Sequence, residues 1–231
     1  MKLSIKTPKG KYRYEFIPLF VGTKIIDKKI STRNIKEFKR ILNEAGVEFI
    51  LSYGTLLGAV RENDFISHDE DIDLSMLHDG LPRLLSSLFL LREHGFEVCR
   101  YDRRGLISFI KDNEYIDVYI FKNMTEDILI CGREVMPVHF LRSTTSLFFK
   151  DDEFRVPKDY VKYLEFFYGD NWKTPVQFYH YEMPKWKRNL NVIIQHIKEF
   201  LPDRIFYALV EPGDRKYREP LLRKIKEQYT K

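Results

Sequence analysis

Residues 53–73 read YGTLLGAVRENDFISHDEDID, and this stretch concentrates the chemistry of the chain. A small turn, Gly54-Thr55, leads into a short apolar segment that ends at Arg61. The acidic side chains that follow are Asp64, Asp69, Glu70, Asp71 and Asp73. The net charge of the chain is +5, so its composition does not explain this cluster. Because like charges repel, the cluster predicts a neutralising cation, and carboxylates without a nearby cysteine suit Mg²⁺ or Mn²⁺.

Two of these carboxylates, Asp71 and Asp73, are expected on the same side of a strand. Residues 71–76 have the spacing of a strand, in which side chains alternate, so Ile72 faces the core. The two Cβ atoms would then lie roughly 6–7 Å apart, and their oxygens can share one ion or bracket two. The alternative is a solvated acidic loop, which the apolar flanks disfavour.

The turn at Gly54 and Thr55 is a candidate phosphate site. It follows residues 47–52, an apolar run that predicts a strand, and it precedes a predicted short helix at 56–60. A glycine at a strand-to-helix turn lets backbone N–H groups approach a phosphate, and the helix N-terminus favours the anion. We assign both residues, with the adjoining Tyr53, to substrate binding.

Arg61 stands between the apolar segment and the acidic loop. It is assigned to the substrate as a partner for a diphosphate. The alternative is a structural ion pair with Asp64 or Asp69.

A third carboxylate, Asp117, lies on the second arm of a predicted hairpin. The arms are residues 106–111 and 115–121, joined at Asp112-Asn113, and Asp117 is the one acid among apolar and aromatic residues of its arm. Burying a lone carboxylate costs several kcal/mol unless it is paired or bound to a metal. We assign Asp117 as a metal ligand or general base; the alternative is a partly exposed edge position.

These blocks resemble a known family. The stretch from Gly54 to Asp73 is similar to the first signature of the LicD and fukutin-related proteins, phosphotransferases with a nucleotidyltransferase-type fold. Residues 156–175, with Val-Pro-Lys-Asp-Tyr, Tyr-Gly-Asp-Asn-Trp and Thr-Pro, resemble the second. His68 and Glu70 depart from the family pattern of an aromatic residue and three aspartates, while Asp71 and Asp73 are kept.

The resemblance implies an α/β (α+β) fold, with a nucleotidyltransferase-like mixed β-sheet flanked by helices and a helical C-terminal part. It places the strand of Asp117 beside that of Asp71 and Asp73, so that all three serve as catalytic metal ligands for Mg²⁺ or Mn²⁺. It adds Trp172 as a substrate-binding candidate that either stacks on a base or sugar or locks its loop.

The reaction implied by the resemblance is transfer of a phospho-alcohol from a CDP-activated donor, with CDP-choline as the first candidate. The acceptor would be a hydroxyl of a cell-surface glycan, such as lipopolysaccharide, capsule or teichoic acid, and CMP would be released. Three alternatives remain open: a nucleotidyltransferase, a D-x-D glycosyltransferase, and a non-catalytic scaffold of envelope glycan assembly.

With 231 residues, the chain predicts one catalytic domain over 1–175, including an N-terminal extension over 1–30. A basic helical extension over 176–231, packed on this domain, carries an apolar stripe. The stripe consists of Trp186, Leu190, Ile193, Ile194 and Ile197. The other predicted elements are strands at 12–20, 96–101, 128–131 and 135–140 and helices at 34–45, 79–94 and 157–168.

The isoelectric point of about 9.0 suits an anionic substrate or an anionic membrane surface, and does not argue for nucleic acid. Cys99 and Cys131 have no metal-ligand spacing and predict buried, reduced thiols. No signal peptide or membrane-spanning run is evident. The expected location is the cytoplasm, with peripheral association at the inner face of the membrane left open.

Overall fold

The computed structural model describes residues 2–17, 24–175 and 184–229, and a mixed β-sheet forms its centre. Its strands are β1 (Lys2–Thr7), β2 (Gly10–Glu15), β3 (Ile50–Leu51), β4 (Ile72–Leu77), β5 (Glu97–Asp102), β6 (Leu106–Lys111), β7 (Glu114–Asn123), β8 (Ile128–Cys131), β9 (Glu134–Pro137), β10 (Thr144–Phe149) and β11 (Asp152–Pro157). Its helices are α1 (Lys28–Glu44), α2 (Tyr53–Arg61), α3 (Leu81–Glu93), α4 (His139–Arg142), α5 (Tyr160–Tyr168), α6 (Lys185–Phe200) and α7 (Asp203–Tyr229).

The main path of the sheet runs β3-β4-β7-β6-β5. β4 and β7 are parallel, and the other neighbours on this path are antiparallel, which confirms the predicted mixed sheet. The β6–β7 hairpin turns at Asp112 and Asn113, both with positive φ, as the sequence predicts. The predicted place of the Asp117 strand beside that of Asp73 is confirmed, because Asp117 of β7 lies opposite Asp73 of β4. The expectation that Asp71 lies on the same strand is wrong, because β4 begins at Ile72 and Asp71 directly precedes it.

Helix α1 begins earlier than predicted. Its N-cap is Asp27, whose side chain accepts backbone N–H groups of the first turn at 3.0 Å. The predicted start at Asn34 is wrong, because Asn34 lies inside the helix and donates its side-chain amide to the carbonyl of Lys111 at 3.0 Å. A residue type that favours caps here bridges the helix to the sheet instead.

Helices α3 and α5, in contrast to α1, begin later than predicted. A short 3₁₀ turn, His78–Gly80, precedes α3, so Gly80 and not Asp79 occupies the position before the helix. Pro157 ends β11 instead of opening a helix, and α5 starts at Tyr160. In both cases the polypeptide makes an additional local element before the apolar periodicity begins.

One part of the core lies between α1 and the sheet. Phe38 of α1 is fully buried, with ring centroids 5.3 Å from Phe96 and 5.1 Å from Phe109 in edge-on geometry. Cys99 and Cys131 are free and buried, as predicted. This packing holds β5, β6 and β7 in place, and with them the centre of the candidate site.

The described part of the C-terminal extension is helical, as predicted. α7 is attached to the sheet through Arg104, which binds Asp214 at 2.9 Å, and to α5 through Lys224, which donates to the carbonyl of Phe166 at 2.7 Å. Residues 176–183 of this extension, and residues 18–20 of the strand predicted at 12–20, lie outside the described residues. Within the described ranges, no helix is both long and apolar enough to cross a bilayer.

Candidate active site

A row of polar side chains crosses four neighbouring strands. Arg100 of β5 lies opposite Ser108 of β6, Ser108 opposite Asp117 of β7, and Asp117 opposite Asp73 of β4. Because side chains directly opposite one another share a face of the sheet, the row brings together Asp73 and Asp117, two of the three predicted metal ligands. Asp73 is 8% exposed and Asp117 is 2% exposed, so neither is a solvated loop acid.

The first turn of α2 holds Asp73 through two backbone contacts. The N–H of Gly54 donates to Asp73 Oδ2 at 3.1 Å, and the N–H of Asp73 donates to Thr55 Oγ1 at 2.8 Å. The predicted short helix at 56–60 therefore starts earlier, and Gly54 and Thr55 lie within it. Both residues are at the site, where they position a carboxylate; their predicted contact with a phosphate stays a prediction.

Asp69 packs against the same helix start. A Cβ on Gly54 would lie 3.0 Å from Asp69 Oδ1, so a residue without a side chain lets this carboxylate approach the backbone. Asp69 Oδ2 is buried and has no hydrogen-bond partner among the described residues. Burial, with a smaller contribution from Glu70, raises the pKa of Asp69 to about 7.

Asp117 has a partner that the sequence analysis missed. Arg100 Nη2 donates to Asp117 Oδ2 at 2.6 Å, and Arg100 Nε donates to Ser108 Oγ at 2.9 Å. One of its two oxygens is therefore compensated by a cation of the chain, and with 2% exposure Asp117 is not the partly exposed edge residue of the alternative. Asp117 Oδ1 remains buried with no hydrogen-bond partner among the described residues.

The remaining carboxylates of the site destabilise one another's charged forms. Burial and the charges of Asp117 and Asp69 hold the pKa of Asp71 well above its usual value, and Arg100 opposes this rise. Burial and the charges of Asp71, Asp69 and Asp117 likewise hold the pKa of Asp73 well above its usual value. This is the electrostatic signature of a set of acids that lacks enough positive charge.

The donor set fits a hard divalent ion. Asp71, Asp73 and Asp117 offer carboxylate oxygens, and the unpartnered Oδ1 of Asp117 is available to a ligand. In the described ranges, no three His, Cys, Asp or Glu side chains are already arranged to hold a metal ion.

Tyr53 opens α2 in a strained conformation. Its φ is +43°, a region that a bulky residue rarely adopts, and its ring lies 4.9 Å from those of both Tyr119 and Phe167. Its hydroxyl is buried without a hydrogen-bond partner among the described residues. Strain and an unpartnered hydroxyl at one residue are typical of a functional position, in keeping with its assignment to substrate binding.

Arg61 and Trp172 contact each other. Arg61 Nη1 donates to the carbonyl of Trp172 at 3.3 Å, and Arg61 Nη2 binds Glu62 at 2.6 Å. The alternative of an ion pair with Asp64 or Asp69 is not what is seen, because Asp64 binds Lys28 and Lys150. Trp172 is buried, which matches the interpretation that it locks its loop.

Tyr168 is a further aromatic residue at the site that the sequence analysis did not single out. It ends α5 and is 41% exposed. Its hydroxyl is more enclosed than the residue as a whole, and desolvation of this end, followed by the charges of Asp73 and Asp69, raises its pKa. Its position in the Tyr-Gly-Asp-Asn-Trp block was the signal that could have identified it.

Comparison with known proteins gives one family. The model of a family described as "LicD/FKTN/FKRP, nucleotidyltransferase domain" matches residues 46–175. Human "Ribitol-5-phosphate transferase FKTN" is 28% identical over 160 residues, covering 65% of this chain and 33% of that protein. Mouse "Ribitol 5-phosphate transferase FKRP" is 29% identical over 143 residues, covering 56% and 29%. The chain thus spans about a third of the length of these relatives.

Among solved structures, the "Antibiotic-Resistance Factor ANT(2'')-Ia" aligns over 87% of this chain and 95% of its own. The sequence identity is 14% and the TM-score is 0.47.

Proposed function

Because this chain belongs to the LicD/FKTN/FKRP family of nucleotidyltransferase domains, we propose that it transfers a phospho-alcohol from a CDP-activated donor to a hydroxyl of a cell-surface glycan and releases CMP. The names of the relatives, which are transferases of ribitol 5-phosphate, support an alcohol phosphate as the transferred group. The observation that carries the proposal is the pair Asp73 and Asp117, side by side on parallel strands and buried.

Asp71, Asp73 and Asp117 would hold Mg²⁺ or Mn²⁺, which would neutralise the donor diphosphate and the charge that develops on the departing CMP. The N–H of Gly54 holds Oδ2 of Asp73, and Thr55 Oγ1 holds the Asp73 backbone N–H, so α2 orients this carboxylate toward the site. The guanidinium of Arg100 holds one oxygen of Asp117 through a side-chain hydrogen bond. Asp117 Oδ1, the oxygen that Arg100 does not contact, is the proposed position either for a bond to the ion or for acceptance of the hydroxyl proton.

The bond changes follow from this placement. The acceptor oxygen attacks the phosphorus that carries the alcohol, and the bond from that phosphorus to the bridging oxygen breaks. CMP takes the bridging oxygen and its electron pair, while the hydroxyl proton passes to Asp117. Arg61, in contact with the loop of Trp172, is proposed to bind the diphosphate, and the exposed Tyr168 the base or alcohol.

Two alcohols are the first candidates. Phosphocholine follows from the family resemblance, and ribitol 5-phosphate from the names of the two relatives. Choline is a cation that aromatic rings and carboxylates attract, whereas ribitol offers hydroxyls to hydrogen-bond. Tyr168 and the neighbouring carboxylates can serve either, so the donor has to be decided by assay.

Transfer of the nucleotide is the second candidate function, favoured by the description of the family as a nucleotidyltransferase domain. The same carboxylates would serve it, but the CMP group would then stay on the acceptor. The scaffold alternative is disfavoured by the unpartnered oxygens of Asp69 and Asp117, because a site without a ligand has no compensation for burying them.

The proposed location is the cytoplasm, with peripheral contact at the inner face of the membrane. The two buried free thiols, Cys99 and Cys131, support a reducing compartment.

The test incubates the chain with Mg²⁺, an envelope-glycan extract and one of CDP-choline, CDP-ribitol or CDP-glycerol, each labelled in the cytidine and in the alcohol. Phospho-alcohol transfer predicts free labelled CMP and an acceptor that carries the alcohol label. Asp73→Asn should lower this rate by at least about a hundredfold. The matched control is Asp112→Asn, an equal charge change in the exposed β6–β7 turn, which should keep the rate.

Cytidine label on the acceptor would replace the proposal by nucleotide transfer. An Asp73→Asn variant as active as the wild type would show that the Asp73 carboxylate is not needed for the reaction, which contradicts the proposed mechanism. Equilibrium binding of Mn²⁺ to both proteins gives a second readout, since the Asp73→Asn variant should bind it more weakly even where no donor is turned over.

A further inference from the structure

Within the described part of the chain, helix α6 exposes an apolar face along its whole length. Trp186, Ile193, Ile197 and Phe200 are each between 56% and 65% exposed, and Leu190 and Ile194 are also exposed. These residues recur at intervals of three and four, so they form one stripe on one side of the helix. Apolar surface of this extent is uncommon on a protein that has no partner there.

The helix is attached to the domain at its C-terminal end. Arg103, in the β5–β6 turn, donates to the carbonyls of Lys198 at 2.7 Å and Leu201 at 2.9 Å. The cation also favours the negative end of the helix dipole. This clamp fixes the end of α6 without covering the stripe.

The charges around the stripe indicate what covers it. At 100° per residue, Lys187 and Lys198 lie beside Ile194 at one border of the stripe, and Lys185 lies beyond Phe200 at the other. Lysines at both borders can extend toward the phosphate groups of lipid headgroups while the apolar residues enter the acyl-chain region beneath them. Trp186 and Phe200 stand at opposite ends of the stripe, and aromatic rings favour the boundary between water and lipid.

A second copy of the chain fits this face poorly. Two stripes facing each other would bring lysine borders together, and α6 has one acidic residue, Glu199, in its sequence. Charges at the borders of paired amphipathic helices set partner choice, and like charges there oppose pairing. With 16 residues, α6 is also too short to cross a bilayer.

We propose that α6 is a membrane-docking helix that lies in the plane of an anionic lipid surface. Its stripe enters the boundary between headgroups and acyl chains, and its lysines contact the phosphates. The proposal does not rest on the transfer reaction, because binding is measured without donor or acceptor. If the protein does not bind vesicles, the proposed transfer activity is not contradicted.

The test is co-sedimentation with vesicles of phosphatidylcholine alone and with vesicles that also contain phosphatidylglycerol. The wild type should bind the anionic vesicles, release them as salt rises, and bind neutral vesicles much more weakly. Ile193→Asp/Ile197→Asp should lower binding about tenfold or more, and neutralising a border lysine, as in Lys187→Gln, about fivefold. The matched control is Phe148→Asp on β10, an exposed apolar residue outside α6 that should leave binding unchanged.

Trp186 supplies a second readout. Its fluorescence should shift to shorter wavelength when anionic vesicles are added, and Trp186→Phe should abolish this shift, since Trp172 is buried from the start. Equal binding by the Ile193→Asp/Ile197→Asp variant would overturn the proposal. So would a wild-type dimer in light scattering that this variant converts to a monomer, because a second copy would then cover the stripe.

Discussion

Arg100 and Asp117 form an ion pair across the sheet, with 2.6 Å between Arg100 Nη2 and Asp117 Oδ2. Ser108 stands between them in the row of strands and accepts from Arg100 Nε at 2.9 Å. Part of the positive charge that this acid requires is therefore supplied by the chain itself. The pair leaves Asp117 Oδ1 as the oxygen available for a ligand or proton.

The first prediction concerns this pair. Arg100→Met should lower the free energy of unfolding by about 3 kcal/mol, because it leaves Asp117 charged and buried without a partner. In Arg100→Met/Asp117→Asn the loss should be smaller than the sum of the single losses by about 1 kcal/mol or more. Urea unfolding of the four proteins measures this coupling.

Arg33→Met is the control for the first prediction, because Arg33 pairs with Asp112 where both side chains are exposed. Its cost should stay within about 1 kcal/mol. Strict additivity of the Arg100 and Asp117 changes would contradict the pair as an energetic unit.

The second prediction concerns the contact of α2 with the acidic loop. A Cβ on Gly58 would lie 2.4 Å from the carbonyl oxygen of Asp64 and 3.0 Å from the N atom of Ile66, both of them backbone atoms. Gly58→Ala should therefore displace the loop and lower the free energy of unfolding by about 1–3 kcal/mol. A melting temperature lower by about 2–10 °C would record this loss.

Gly213→Ala is the matched substitution for Gly58→Ala. Gly213 lies in α7, and a Cβ there would meet nothing within 4 Å. The same change should raise stability by about 0.5–1 kcal/mol, because alanine favours a helix over glycine. Shifts of the same sign in both variants would show that helix propensity, and not the close approach at Gly58, governs the effect.

The strand-based part of the site was predictable from local pattern. Alternation along a strand is a property of neighbouring residues, so it was enough to place Asp73 and Asp117 on defined faces. That their strands are neighbours came from the family resemblance, and the pairing of Asp73 with Asp117 confirms it; the parallel direction is a finding of the structure. Arg100 could not be found in this way, because its contact with Asp117 spans three strands and no local signal specifies it.

The helix boundaries were less predictable. The predicted start at Asn34, a residue type that favours caps, was wrong: the actual cap, Asp27, lies seven residues earlier, before a polar first turn with weak apolar periodicity. Tyr53 was expected before α2 but begins it with positive φ, a conformation that the sequence does not encode for a tyrosine. Tertiary contacts, here with Tyr119 and Phe167, determine such positions.

The third prediction uses the unpartnered hydroxyl of Tyr53. Tyr53→Phe removes a buried polar group that has no partner in the described part of the chain, so the free energy of unfolding should stay equal or rise by up to about 1 kcal/mol. If the hydroxyl contacts the substrate, the same variant should lose activity. Denaturant unfolding measures the change in stability, and the transfer assay measures the loss of activity.

Tyr163→Phe is the control for Tyr53→Phe. The hydroxyl of Tyr163 accepts the backbone N–H of Tyr53 at 3.4 Å, so its loss leaves that donor unpaired and should cost about 0.5–1 kcal/mol. A Tyr53→Phe variant less stable than Tyr163→Phe would mean that the Tyr53 hydroxyl has a stabilising partner.

The fourth prediction is a pH dependence at Asp102, which anchors the end of β5. Burial would raise the pKa of Asp102. The backbone N–H of Arg104 donates to Asp102 Oδ1 at 2.9 Å, and Arg104 Nη2 donates to Asp102 Oδ2 at 2.6 Å. These hydrogen bonds outweigh burial and hold the pKa of Asp102 below its usual value. A carboxyl with a lowered folded-state pKa stabilises the protein above its unfolded pKa of about 3.9, and this contribution is lost as pH falls through the folded pKa. Asp102→Asn should therefore cost about 2 kcal/mol at pH 7, and less at each step below about pH 4.

Unfolding in urea from pH 7 to pH 3 measures this difference between the wild type and Asp102→Asn. The control is Asp203→Asn, because Asp203 pairs with Arg103 but is largely exposed, so its effect should stay below about 1 kcal/mol throughout. Arg100 and Asp214, the other charges near Asp102 and Arg104, are the same in both proteins. If the gap between wild type and Asp102→Asn were constant down to pH 3, the charge of Asp102 would not be what stabilises this end of the sheet, and packing of the side chain would have to account for the whole cost.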